Sequence, residues 1–400
     1  MSAVPTDTVP ASAVPTDTVP VAIHSRPGEV PAGSAAADVA ATPLPALRHR
    51  VGSAGPRDVE RALRSQRPTL EDFAALLSES AGERLEDLAS RSAQITRARF
   101  GSTVRLFAPL YLSNECVSTC TYCGFSAANK IARRTLSLAE VAAEGQELAR
   151  RGFRHVLLVA GEHARIVSKD YLEAVVKSVS PLFAQLSVEV QVWDTATYRR
   201  LVDAGCDGVV VYQESYDPGT YAEVHLKGKK RNYAWRLAAL DRAAEAGMRR
   251  LGIGALLGLH PDWRSEAILL ASHANALTRR WWRCEVQVAL PRLRPAAGGY
   301  EPSDPIDDRS FTQLLCALRI FMPDLGITMS TREPPELRDG LVRLGVTSMS
   351  AGSHTEPGGY AETSDAEPQF EISDTRSPAE VAGALRAMGM EPVWKDWQRA

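Results

Sequence analysis

From about residue 104 onward, short apolar runs alternate with amphipathic stretches. Eight runs have the length and β-branched content of strands: 104–112 (VRLFAPLYL), 155–160, 186–192, 208–213, 250–257, 284–290, 326–331 and 346–350. Helical periodicity fills the gaps. Leu172, Val175, Val176 and Val179 follow the i, i+3, i+4, i+7 spacing of a buried face. Ser137 with Glu140 forms a capping box before a helix that ends near Gly152. Thr195 starts another helix, and Gly205 stands where a C′ glycine belongs. Eight βα repeats predict a parallel sheet, and eight is the number that closes a (β/α)8 barrel of TIM type. An open doubly wound sheet is the alternative. No strand leads into GxGxxG, which weakens its dinucleotide-binding version.

Several strands depart from the apolar-on-both-faces pattern of buried parallel strands. Ser187, Glu189 and Gln191 share one face of the third, and Glu285 and Gln287 one face of the sixth. Thr328, Ser330 and Arg332 share a face at the seventh. Half-exposed strands explain this, or a barrel whose interior takes a polar ligand; the recurrence favours the barrel.

Two helices near 57–66 and 70–92 precede the first strand. The opening segment is rich in Pro and Ala and repeats AVPTDTVP at 3–10 and 13–20. It offers too little apolar surface to offset ordering entropy, so 1–55 reads as a disordered tail. The expected domains are that tail, a helical extension over 56–100, a barrel over 101–351 and a C-terminal extension over 352–400.

Composition narrows the function. The formal net charge of −2, with Lys and Arg scattered, gives no nucleic-acid or membrane-surface signal. No apolar run reaches spanning length, and the N-terminus lacks the pattern of a secretory or mitochondrial leader, so a cytoplasmic protein is expected. Six cysteines in 400 residues do not make a disulfide scaffold. Cys206, Cys284 and Cys316 stand alone and read as packed thiols. Cys116, Cys120 and Cys123 instead fall in Cys-x3-Cys-x2-Cys at the end of the first strand, with Tyr122 before the last. Three thiolates can hold three corners of a [4Fe–4S] cubane and leave the fourth iron free for S-adenosylmethionine. Zinc would require a fourth ligand at short spacing, and none follows. A Cys120–Cys123 redox pair leaves Cys116 unexplained. Active sites of such barrels lie at the strand C-termini. Those ends carry Gly161-Glu162-His163, Tyr212-Gln213-Glu214, Pro291–Arg294, Ser330–Glu333 and Ser350–Ser353.

The segments PLYLSNECVSTCTYCGFS, LLVAGEH, VVVYQESY, HLKGKK, IGALLGL, PRLRP, STRE, PGGYAE and PVWKDW lie in order over about 104–397. Together they resemble the 2-iminoacetate synthases, radical S-adenosylmethionine lyases of thiamine-thiazole biosynthesis. The resemblance implies a radical-enzyme barrel that cleaves the Cα–Cβ bond of L-tyrosine to 2-iminoacetate and 4-cresol, converting S-adenosylmethionine to methionine and 5′-deoxyadenosine. It implies cluster ligation by Cys116, Cys120 and Cys123, adenine contact by Tyr122 and a methionyl-amine site at Gly161 and Glu162. Gln213 and Glu214 are implied on the ribose side and Arg236 at the methionyl carboxylate. By likeness to the related tryptophan lyase, Arg332 would clamp the substrate carboxylate while Tyr111 and Ser350 position the amino-acid end. A complex with thiazole synthase and a flavodoxin- or ferredoxin-type electron donor are implied partners. Three alternatives stand beside this. One is the tryptophan lyase that makes 3-methyl-2-indolic acid, but Cys-Gly-Phe-Ser and the WKDW tail lie on the tyrosine side. The second is the tyrosine enzyme of hydrogenase assembly, which carries further C-terminal cysteines; no Cys follows Cys316 here. The third is a zinc-stabilised binding protein without enzymatic activity.

Overall fold

A computed structural model describes residues 29–302 and 304–395. Its centre is a closed parallel barrel of β1 (Thr103–Ser113), β2 (His155–Ala160), β3 (Gln185–Glu189), β4 (Gly208–Glu214), β5 (Arg250–Ala255), β6 (Glu285–Ala289), β7 (Gly326–Met329) and β8 (Ser348–Ser350). All eight expected strands are present. Neighbours pair in chain order, and β1 closes the ring against both β2 and β8. A ninth strand, β9 (Glu391–Val393), which the sequence pattern did not reveal, adds to the start of β1 through Thr103–Arg105. At three residues it carries too little periodicity to read.

Helices between the strands cover the ring as the apolar stripes require. Leu172, Val175, Val176 and Val179 are all buried on the helix Lys169–Val179. Ser137 and Glu140 form the expected capping box of the helix Leu138–Arg150. Gly205 takes φ 110° after the helix Thr195–Ala204, a left-handed turn that costs glycine little. Arg105, His155, Gln185, Ser187, Gln287, Thr328 and Ser348 line the lower barrel interior, so the polar strand faces point inward.

The N-terminal expectation needs two corrections. The tail does not extend to residue 55: helices Ala35–Ala40 and Leu44–Ser53 bury Ala35, Ala36, Val39 and Leu47. Asp241 accepts the Ala35 N–H at 3.0 Å and anchors the first of these. Small side chains let this helix sit close to its neighbour, so alanine-rich composition misled. The repeat itself lies outside the described residues. The single helix expected over 70–92 is three, Leu70–Leu76, Glu79–Glu83 and Leu85–Phe100, because Ser78 breaks the run and caps the second. The helix Leu85–Phe100 packs against the helix Asp308–Phe321, where Cys316 is buried.

Beyond β8 the chain returns across the top of the barrel. Tyr360 is buried there, with its hydroxyl donating to Pro109 O at 2.7 Å and its N–H to Glu144 at 2.9 Å. Beneath this segment Arg338 and Asp374 form a fully buried ion pair. No helix among the described residues is long and apolar enough to cross a membrane.

Candidate active site

The cysteine loop leaves the top of β1 and is held on every side by backbone contacts. Val117 N–H donates to Glu162 O (2.9 Å), Thr119 N–H to Lys227 O (3.1 Å), Thr121 N–H to Val224 O (3.0 Å) and Gly124 N–H to Gln369 O (3.1 Å). Arg133 donates to the carbonyls of Asn114, Phe125, Ser126 and Asn129 at 2.6–3.1 Å. One guanidinium thus satisfies four loop carbonyls that have no ladder partner. Gly161 lies against this loop: a Cβ there would sit 2.4 Å from Glu115 O and 3.3 Å from Cys116 Cβ.

Burial pushes all three thiols of Cys116, Cys120 and Cys123 up, while Lys230 opposes this at Cys120 and Cys123. Burial disfavours free thiolates here, so these thiols would ionise on binding an electropositive group that stabilises the charge. Among the described residues, no three His, Cys, Asp or Glu side chains converge as one metal ion requires. A cubane takes one thiolate per iron, on separate corners, and fits this set better than zinc.

Around the thiols stands a set of ion pairs. Arg236 donates to Glu162 at 3.0 Å and to Tyr212 O at 2.7 Å, with Glu214 at 3.9 Å. Ser118 Oγ meets the other Glu162 oxygen at 3.3 Å. Lys230 pairs with Glu214 at 2.6 Å. Glu214 has φ 70°, the one positive φ outside glycine among the described residues, at an irregularity between β4 and β5. Such strain clusters at binding sites, where the surroundings hold it in place. Tyr122 donates its hydroxyl to His225 Nε2 at 2.8 Å; the His225 Nδ1–H is committed to Tyr221 O, which can only accept. Burial and Lys230 hold the His225 pKa down, to about 3, so the ring stays neutral.

Below this set a cavity opens into the barrel. Tyr111, Tyr122, Cys123, Glu214, Arg332 and Ser350 all line it. Ser350 Oγ accepts the Thr331 N–H at 3.1 Å. Tyr111 donates its hydroxyl to Gln369 Oε1 at 2.8 Å and packs edge-on to Phe125. The Arg332 guanidinium lies 3.4 Å over the Phe370 ring and has no ion pair among the described residues. The other residues singled out from sequence lie elsewhere. Glu162 faces an adjoining groove with Gly228 and Trp235, and Arg236 stands between groove and cavity. Gln213 is buried off the cavity wall, with no partner for Nε2 among the described residues. Tyr212, at the fourth strand end, lines the cavity as its position led one to expect, whereas sequence reasoning missed Lys230, Gln369 and Phe370. Lys230 stands within the HLKGKK segment; Gln369 and Phe370 carry no local signal.

The chain matches the Radical SAM superfamily model over residues 110–271 and the Biotin and Thiamin Synthesis associated domain over 289–391. It is 44% identical over 351 residues to 2-iminoacetate synthase of Escherichia coli, covering 88% of this chain and 93% of that one. The chain belongs to the 2-iminoacetate synthase family. The Salmonella typhimurium member is 42% identical over the same coverage of 88% and 93%. HydG, the [FeFe]-hydrogenase maturase of Carboxydothermus hydrogenoformans, superposes with a TM-score of 0.83 at 33% identity, over 90% of this chain and 85% of that one. Radical SAM enzymes such as those of the 2-iminoacetate synthase family use a [4Fe–4S] cluster and S-adenosylmethionine.

Proposed function

We propose that this protein is a radical lyase that cleaves the Cα–Cβ bond of L-tyrosine to 2-iminoacetate and 4-cresol. The observation that carries the reading is the cavity itself: Arg332, which forms no ion pair among the described residues, faces the same space as Ser350, Tyr111, Cys123 and Tyr122.

Cys116, Cys120 and Cys123 hold the cluster in this reading. Tyr122 abuts the adenine, with its hydroxyl fixed by His225. Gly161, Glu162 and Arg236 take the methionyl end of S-adenosylmethionine and Glu214 the ribose side, while Gln213, buried off the cavity wall, stands behind it. The cluster and S-adenosylmethionine, when bound, supply a 5′-deoxyadenosyl radical. Arg332 holds the tyrosine carboxylate through its guanidinium fork, and Tyr111 and Ser350 fix the amino end. Their work is positional: the N–H must lie nearer the radical than the Cβ–H, and a small displacement would redirect abstraction. Bond cleavage then leaves a 4-hydroxybenzyl fragment that one electron and one proton convert to cresol. The C-terminal segment over the barrel top limits water access to the imine. Because a free imine hydrolyses, the reading includes handoff to a thiazole synthase, with electrons from a flavodoxin- or ferredoxin-type donor. The match to a biotin- and thiamin-associated domain supports this placement.

The test is an anaerobic incubation of reconstituted protein with S-adenosylmethionine, a reductant and either tyrosine or tryptophan. Mass spectrometry should find 4-cresol from tyrosine. Methylindolic acid from tryptophan, without cresol from tyrosine, would overturn the assignment.

A further inference from the structure

Three carboxylates line the cavity. Glu214 is paired with Lys230, and Glu333 with Arg292. Glu189 accepts no hydrogen bond and forms no ion pair among the described residues; Arg332, Lys230 and Arg236 act on it only at longer range. A carboxylate out of bulk water and without a partner is costly, and a purely structural acid would be paired as the other two are. Its position is informative. Glu189 ends β3, and β3 lies four strands from β7 around the closed ring of eight, directly across the barrel from it. Arg332 follows β7, and Ser350 ends β8. An amino acid clamped by its carboxylate on the β7–β8 side therefore directs its side chain toward β3. The wall between is apolar and aromatic, with Leu157, Val159 and Tyr212 suited to the faces of a ring.

We infer that Glu189 recognises the phenol hydroxyl of the substrate and so sets the preference for tyrosine over amino acids with unsubstituted aromatic rings. The inference rests on the tyrosine reading above and adds the specificity residue to it. Burial, together with Glu214, brings the Glu189 pKa up to about 7. Both protonation states serve: a carboxylate accepts from the phenol O–H, and a carboxyl donates to its oxygen. Tyr212 stands beside Glu189 on the next strand and confines the ring.

The experiment uses holoenzyme loaded with S-adenosylmethionine but without reductant, so that binding is read apart from turnover. Equilibrium dialysis gives the Kd of tyrosine and of phenylalanine for the wild type, Glu189→Leu and Glu189→Gln. Loss of one charged hydrogen bond should weaken tyrosine about 10- to 100-fold in Glu189→Leu and leave phenylalanine within about twofold. Glu189→Gln, which keeps the shape and one acceptor, should fall between, and it carries the test if the leucine variant does not fold. Equal weakening of both ligands would assign Glu189 a structural role and overturn the inference. Unchanged tyrosine affinity in both variants would overturn it as well, while cresol formation by the wild type with reductant leaves the tyrosine reading standing. A wild type that makes no cresol from tyrosine removes both.

Discussion

Replacing Arg332 with alanine is the sharpest perturbation of the proposed substrate clamp. The guanidinium lies over Phe370 and forms no ion pair among the described residues, so its removal breaks no direct salt bridge and withdraws only its longer-range attraction for Glu189. The loss should therefore register on substrate. A bidentate guanidinium–carboxylate contact comprises two charge-assisted hydrogen bonds of about 1.5–3 kcal/mol each, about 3–6 kcal/mol in total. At 1.4 kcal/mol per decade, kcat/KM for tyrosine should fall by about 10² to 10⁴. Arg332→Lys keeps the charge and loses the fork, and should recover only part of the deficit. The assay is anaerobic turnover of reconstituted protein with 4-cresol and 5′-deoxyadenosine quantified together. Iron content and the electron paramagnetic resonance signal of the reduced cluster should match the wild type, because Arg332 touches none of the three thiols. A variant with normal iron and undiminished cresol would refute the clamp. A variant that loses iron would show that Arg332 acts on the cluster loop, which also contradicts the geometry.

Two further outcomes follow from the packing. Gly161→Ala places a Cβ 2.4 Å from Glu115 O and must displace the cysteine loop, so reconstituted iron per chain should drop sharply; full iron loading with unchanged visible absorbance would contradict this. His273 is buried, bonded to Tyr216 at 2.9 Å, and burial lowers its pKa to about 3. The unfolded chain protonates this ring near pH 6.5 and the folded chain only near pH 3, so the unfolded state binds more protons between these values. Stability should fall as the pH drops through that window, with His273 contributing a slope of up to about 1.4 kcal/mol per pH unit. Denaturant titrations of His273→Gln should show a shallower acid slope, and an unchanged slope would contradict the assignment.

Much of this protein is determined locally. Each of the eight barrel strands is a short apolar run between turn signals, and each satisfies itself against its sequence neighbour, so pattern and order suffice to read them. The three thiols are legible for the same reason: their Cys-x3-Cys-x2-Cys spacing lies within one loop. Capping at Ser137 and the turn at Gly205 are equally local, since the groups involved lie within four residues. Ser187, Glu189, Gln287 and Thr328 announced a polar interior through their period of two, although which of them faces the ligand was not readable.

What only the tertiary structure decided concerns groups distant in sequence. Ala35–Ala40 looked like part of a tail because it buries small side chains against a surface more than 200 residues away. Gln369 reaches Tyr111 and Gly124 from a segment without regular structure, so no periodicity marks it. Glu214 and Glu189 are both acids at strand ends and look alike in the sequence. Lys230 pairs directly with one; the other looks across the barrel toward Arg332 and forms no direct ion pair among the described residues. Closure of the ring brings β3 opposite β7, and that distinction arises only in three dimensions.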